Sequence, residues 1–154
     1  MKIANLSEEE KWEMMKEMFV MNNQAALGFI MQMGPEKMGE YSEMTSQQYA
    51  NMLRAQGKDS AIGFAMSEAI VRKNLMGSDV EVDGNPNEAT LNLKKDGFLM
   101  TAINLRKKGQ LPMSKEEFQT GCIEGYFKPR ADKLGLKLDV EYLPEGYKIK
   151  ISKK

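Results

Sequence analysis

The period of the apolar pattern first changes at Gly77. Up to that residue apolar side chains recur every three to four positions, and after it they begin to alternate. Ser7 followed by Glu8, Glu9 and Glu10 forms a capping box that opens a long helix. Trp12, Met15, Phe19, Ala26, Ile30 and Met33 lie on one side of it, and Met14, Met18, Met21, Ala25 and Phe29 fill the adjoining side. A helix apolar over so much of its circumference is expected at the centre of a core. Gly34-Pro35 ends it and starts a second helix, which passes through Met38, Tyr41, Tyr49 and Leu53 to a stop near Gly57. Asp59 or Ser60 then caps a third, which runs through Ile62, Ala65, Met66, Ala69 and Leu75.

Beyond Gly77, Asp79-Val80-Glu81-Val82-Asp83 alternates with period two. Gly84-Asn85-Pro86-Asn87 is turn chemistry, and Ala89 to Leu93 alternates again. Gly97 to Lys108 reads as a short helix ending in basic residues. Ser114 opens another with a second capping box, and Pro129 should kink or divide it before Leu134. Leu136, Leu138 and Val140, a turn at Pro144-Glu145-Gly146, and Tyr147, Ile149 and Ile151 make a second hairpin. The expected fold is therefore α+β, with three N-terminal helices and then two β-hairpins separated by two helices. The hairpins form a four-stranded antiparallel sheet covered on one face by helices. Residues 1–154 show no repeat or linker and read as a single domain.

Composition narrows the chemistry. Basic and acidic residues balance at 22 each, which argues against a phosphate-backbone binder, so no nucleic-acid partner is expected. The chain has no histidine and one cysteine, Cys122, which removes Ser-His-Asp and Cys-His catalysis and any Cys/His zinc cluster built from this chain. No metal and no cofactor is expected. Met1 to Glu13 carries an acidic cluster where a leader peptide needs a basic start, and Ala25 to Met31 is too short to span a bilayer. The expected setting is cytoplasmic, with no membrane partner. The 14 methionines suit either an irregular core or an adaptable binding surface, and the core is the favoured reading.

Gly125-Tyr126, Leu134-Gly135, Val140-Glu141, Gly146 and Ile149-Lys150-Ile151 together resemble the C-terminal half of the 4-vinyl reductase domains. There a Gly-Tyr helix runs into Leu-Gly, a strand, a glycine turn and a final strand. The wider element order is also similar to the L-2-amino-thiazoline-4-carboxylic acid hydrolase-like proteins. The resemblance covers residues 60–152 and implies a pocket for a small organic molecule between helices and sheet. This chain lacks the cysteines of the reductase domains around the last hairpin. Where the hydrolase-like family commonly has a cysteine it reads Lys95-Asp96-Gly97, which leaves only Cys122.

Each candidate site residue has a plainer alternative. Cys122 sits about two turns into its helix, too deep for the helix dipole to activate a thiolate, so an inert core thiol is favoured over a nucleophile. Glu68, with Arg72 four residues on, reads either as an ordinary surface pair, which is favoured, or as a buried carboxylate of raised pKa lining a pocket. Asn22-Asn23-Gln24 interrupts the first helix, either as a solvated stripe or as contacts to a ligand or another helix. Asp79, Glu81 and Asp83 lack a calcium-loop pattern and read as a solvated strand. The leading functional expectation is a non-catalytic protein holding a small, largely apolar ligand between the first helix and the sheet. Phe29, Met66 and Tyr126 would supply walls, and Asn23, Glu68 and Cys122 polar contacts. The alternatives are a hydrolase of a small C–N heterocycle, with Cys122 as nucleophile and Glu68 as base, and an interaction subunit or homodimer using its Met-rich helices.

Overall fold

The computed structural model describes residues 5–154, and the first four residues of the Met1 to Glu13 leader reading lie outside it. The helices are α1 (Glu8–Gln32), α2 (Pro35–Ala55), α3 (Ala61–Met76), α4 (Gly97–Lys107), α5 (Lys115–Cys122) and α6 (Lys128–Lys133). The strands are β1 (Asp79–Gly84), β2 (Glu88–Lys95), β3 (Leu136–Leu143) and β4 (Gly146–Lys153). The sheet is antiparallel in the order β1-β2-β4-β3, so the expected α+β class and the four-stranded sheet are both present. A π-helical turn, Ile123–Phe127, links α5 to α6, and Pro129 falls in the first turn of α6. The second helical block is thus interrupted by this π-helical turn just upstream of Pro129, and the proline sits in the first turn of α6, where its missing N–H is tolerated.

Register explains which side of the sheet is covered. Val82 pairs with Leu91, Leu91 with Ile149, and Leu138 with Ile151, so the apolar residues of all four strands share one face. Leu53, Phe64, Ala65, Ile123 and Phe127 from the helices close over that face. Glu81, Lys94, Asp139, Glu141, Lys148 and Lys150 alternate onto the other, and Lys94 pairs with Glu81 at 2.6 Å. A smaller apolar cluster holds Val20, Met76, Leu99, Leu105 and Phe118, and Cys122 packs against both clusters.

The first helix is not where its composition suggested. Only Val20 of α1 is buried, and Met14, Met15, Met18, Phe19, Phe29 and Met33 are exposed. The helix lies on α4 and the end of α3. Trp12 Nε1 donates to the Leu75 carbonyl at 2.9 Å, Phe19 meets Phe98, and Lys108 reaches Glu17. The core beneath the helices is filled by Leu, Ile, Ala and Phe from α2, α3 and the strands, which leaves α1 to pack from outside. The Met-rich core fails with it. Met76 is buried, whereas Met44, Met52 and Met66 join the α1 methionines at the surface.

Candidate functional site

The sheet-facing side of α3 carries Ala61, Phe64, Ala65, Glu68, Ala69, Arg72 and Met76, all buried. Helical spacing puts Glu68 and Arg72 in the middle of that apolar side, so both charges enter the interior. The favoured surface-pair reading is thus overturned, because Glu68 is 1% exposed and Arg72 2%. Small neighbours on the same face leave room for the long side chains.

Asp96 meets them from the other side of the site. It follows β2 directly, its N–H donates to the Glu145 carbonyl, and it caps α4 through Phe98 N–H. Gly97 then lies so close to α3 that a Cβ there would sit 2.0 Å from the Met76 carbonyl oxygen. Only a glycine allows the two backbones this approach. Arg72 Nη1 donates to Asp96 Oδ1 at 2.7 Å, and the same oxygen takes the Ser78 hydroxyl at 3.5 Å. Ser78 is itself held by Gly97 N–H at 2.9 Å.

A second arginine approaches from α6. Arg130 Nη1 lies 3.6 Å from Glu68 Oε1, while Arg72 Nε lies 3.8 Å from Glu68 Oε2. These four groups, two cations and two anions, sum to no net charge. Aromatic rings enclose them. Arg72 lies over Phe127 at 4.6 Å and Phe98 at 5.0 Å, and Arg130 over Tyr126 at 3.5 Å and Tyr49 at 4.3 Å. Tyr126 and Phe127 both come from the π-helical turn, a departure from α geometry often found at functional sites. Cys122 and Tyr147 complete the inner wall.

Electrostatics follow from this packing. Burial opposes the Arg72 charge, but Asp96 and then Glu68 outweigh it and raise its pKa further. Burial first, and then the Glu68 charge, raises both the Tyr49 and the Tyr126 phenol. Burial likewise raises Tyr147 and pushes the Cys122 thiol up to about 12, the charge of Arg72 only partly offsetting it. A thiol of that pKa has on the order of one thiolate in 10⁵ at neutral pH, which suits the inert reading rather than a nucleophile.

The network is incompletely satisfied. Both Glu68 oxygens, Arg72 Nε, Asp96 Oδ2 and the Tyr147 hydroxyl are buried with no close, well-aligned hydrogen-bond partner, the Tyr49 and Tyr126 hydroxyls standing beside Glu68 and the Cys122 thiol beside Tyr147 as loose neighbours. An orphan of this kind typically costs about 1–3 kcal/mol, so such a concentration in one place asks for a reason.

Of the residues singled out in the sequence, Glu68, Cys122 and Tyr126 converge here. Asn23, Phe29 and Met66 do not, and all three are exposed on outer helix faces. With α1 resting on α4, the expected cavity between the first helix and the sheet is replaced by a site between α3, α6 and the π-turn. Asp96, Arg130, Tyr49 and Tyr147 were missed as site residues. A surface concavity of about 300 Å³ elsewhere is lined by Ile103, Arg106, Lys107 and Lys115. Among the described residues no cluster of acidic, cysteine or histidine side chains has the arrangement to hold a metal ion, and no helix is long and apolar enough to cross a membrane. No protein-family model matches the chain, and curated proteins give no match either.

Proposed function

We propose that this protein binds a small, flat organic molecule at the Glu68–Arg72–Asp96–Arg130 site, without catalysis. One observation carries the reading: the convergence, within a ring of aromatic side chains, of buried polar atoms that have only loose partners, Glu68 lying 3.6 Å from Arg130 and 3.8 Å from Arg72 with the Tyr49 and Tyr126 hydroxyls beside it. Three of those atoms are carboxylate oxygens, which only accept, so the ligand presents N–H or O–H donors to them. The four charges cancel, which favours a neutral or internally balanced molecule over an anion. A body able to lie against Phe98, Tyr126 and Phe127 is apolar and planar, an amino-substituted heterocycle being the simplest example. Arg130 is the most exposed of the charged members, with 18% of its side chain accessible, and so marks the side of the site nearest solvent. The resemblance to the vinyl reductase and hydrolase-like families points to the same class of ligand. The hydrolase alternative loses ground because the Cys122 thiol is held protonated.

A thermal-shift series tests this. Aminopyridine, aminothiazoline and benzamidine are compared with benzoate, on the wild type and on Glu68→Gln. Stabilisation by the N–H-bearing probes, weakened in the variant and absent with benzoate, is the expected result. Equal responses in both proteins, or none to any probe, would overturn the reading.

A further inference from the structure

The outward side of α1 carries a second proposal, independent of the buried site. From Met18 to Met33 the helix has no charged side chain, yet Val20 alone of its residues is buried. Lys16 and Glu17, the nearest charges, are turned towards the body, Lys16 onto Glu13 and Trp12 and Glu17 onto Lys108. What remains outside is a stripe of Met15, Met18, Asn22, Ala25 and Phe29. Its steps of three, four, three and four residues are those of a helix-pairing seam. Phe29 is 65% exposed and Met18 55%, far more than a side chain placed for the fold's own core.

We infer that a second copy of this chain covers this stripe, the two α1 helices pairing antiparallel about a two-fold axis at Asn22. The stripe is nearly symmetric about that residue, with Met15 and Phe29 seven residues to either side, Met18 four before and Ala25-Ala26 three and four after. Reversed on itself, it sets Met15 against Phe29, Met18 against the small step Ala25-Ala26, and Asn22 against its own copy. Large side chains thus meet small ones, and the single polar position finds its partner in the other amide, as a lone asparagine does when it fixes register. Charge selects the direction. Parallel pairing would set the acidic first turns Glu8, Glu9 and Glu10 side by side and align the helix dipoles. Antiparallel pairing separates them.

The area is sufficient. Met14, Met15, Met18, Met21, Phe29 and Met33, each roughly half exposed, together with Ala25 and Ala26, offer on the order of 700 Å² per copy, against the about 800 Å² of a standard interface. Val20 anchors the opposite side of α1, and Trp12 and Phe19 anchor the flank next to Met15, so the stripe is presented on a helix already fixed to its body.

Sedimentation velocity of the full chain across a concentration series reads the assembly. The wild type is expected as a dimer, and Ala25→Glu as a monomer with unchanged circular dichroism and a dissociation constant raised about a hundredfold or more. Ile70→Glu, on the exposed outer side of α3, should leave the dimer intact. In a Cys122→Ala background, Asn22→Cys should crosslink between copies on mild oxidation and Met15→Cys alone should not. Met15→Cys paired with Phe29→Cys should crosslink again. A wild-type monomer at all concentrations, or a dimer untouched by Ala25→Glu, would overturn the inference. So would crosslinking by Met15→Cys alone, which reports parallel helices. Capture of the monomer by phosphatidylglycerol vesicles through the same stripe would replace the second copy with a lipid surface.

Discussion

Removing the Asp96 carboxylate should destabilise the fold far more than removing a typical surface charge. Asp96 is fully buried, and its Oδ1 alone accepts from Arg72 at 2.7 Å and from Phe98 N–H at 3.3 Å. Asp96→Ala therefore strands the Arg72 guanidinium, whose nearest remaining anion is Glu68 at 3.8 Å, and uncaps α4. Breaking one partner of a buried pair costs about 3–5 kcal/mol, and a lost N-cap about 1 kcal/mol. The two losses share one oxygen and do not simply add, so about 4 kcal/mol is expected. For a chain of this size that lowers the melting temperature by roughly 8–16 °C. Asp96→Asn keeps a good capping side chain and loses only the charge, so it should fall between wild type and Asp96→Ala. The double variant Arg72→Met/Asp96→Leu removes both charges and should recover most of the loss. Urea denaturation followed by circular dichroism measures all three. An Asp96→Ala loss below about 1 kcal/mol would refute the reasoning, because it would mean that water already screens the pair.

The remaining expectations use other parts of the same packing. Gly97→Ala should cost about 2–4 kcal/mol in the same assay, since the added carbon collides with the Met76 carbonyl and backbone must move. Cys122, partly buried with its thiol pushed up to about 12, should react with a thiol reagent far more slowly in the native protein than after unfolding, whereas native labelling at the rate of a free thiol would contradict a protonated thiol. Alkali gives a signed prediction. The folded pKa values of Cys122, Tyr49, Tyr126 and Tyr147 lie above their ordinary values, so the native state holds protons that the unfolded chain releases. Stability is then fully present below about pH 9 and falls as pH rises from there, each group adding a slope of about 1.4 kcal/mol per pH unit while it differs between the two states. Tyrosinate absorbance of these three rings should appear together with unfolding; ionisation in the intact fold would contradict it.

Much of the architecture was legible because backbone chemistry is local. The change of period at Gly77 marked the passage from helices to hairpin, and Gly77 does end α3 with a left-handed φ of 68°. Ser7 and Ser114 both form the capping boxes their spacing announced. The place of α1 was not legible. Apolar periodicity says that a face wants cover, but not whether the cover comes from the same chain, and here the sheet and α3 fill the core without it. The site was half legible. Glu68 sits among Ala65, Met66, Ala69 and Ile70, which allowed a buried carboxylate, but its i,i+4 spacing to Arg72 favoured the surface pair that the burial of both side chains overturns. Asp96, Arg130 and Tyr147 had no local signal. Asp96 reaches Arg72 across 24 positions, through a backbone contact that only the folded chain creates.

Native mass spectrometry of freshly purified protein, set against its denatured mass, tests the binding-site reading most directly. A small-molecule adduct that is released on denaturation, and is lost in Glu68→Gln while that variant keeps its fold, is the expected result. A wild-type protein that carries no adduct, and takes up none when aminothiazoline or benzamidine is added, would contradict a ligand at the Glu68–Arg72–Asp96–Arg130 site. The buried charges would then serve the fold alone.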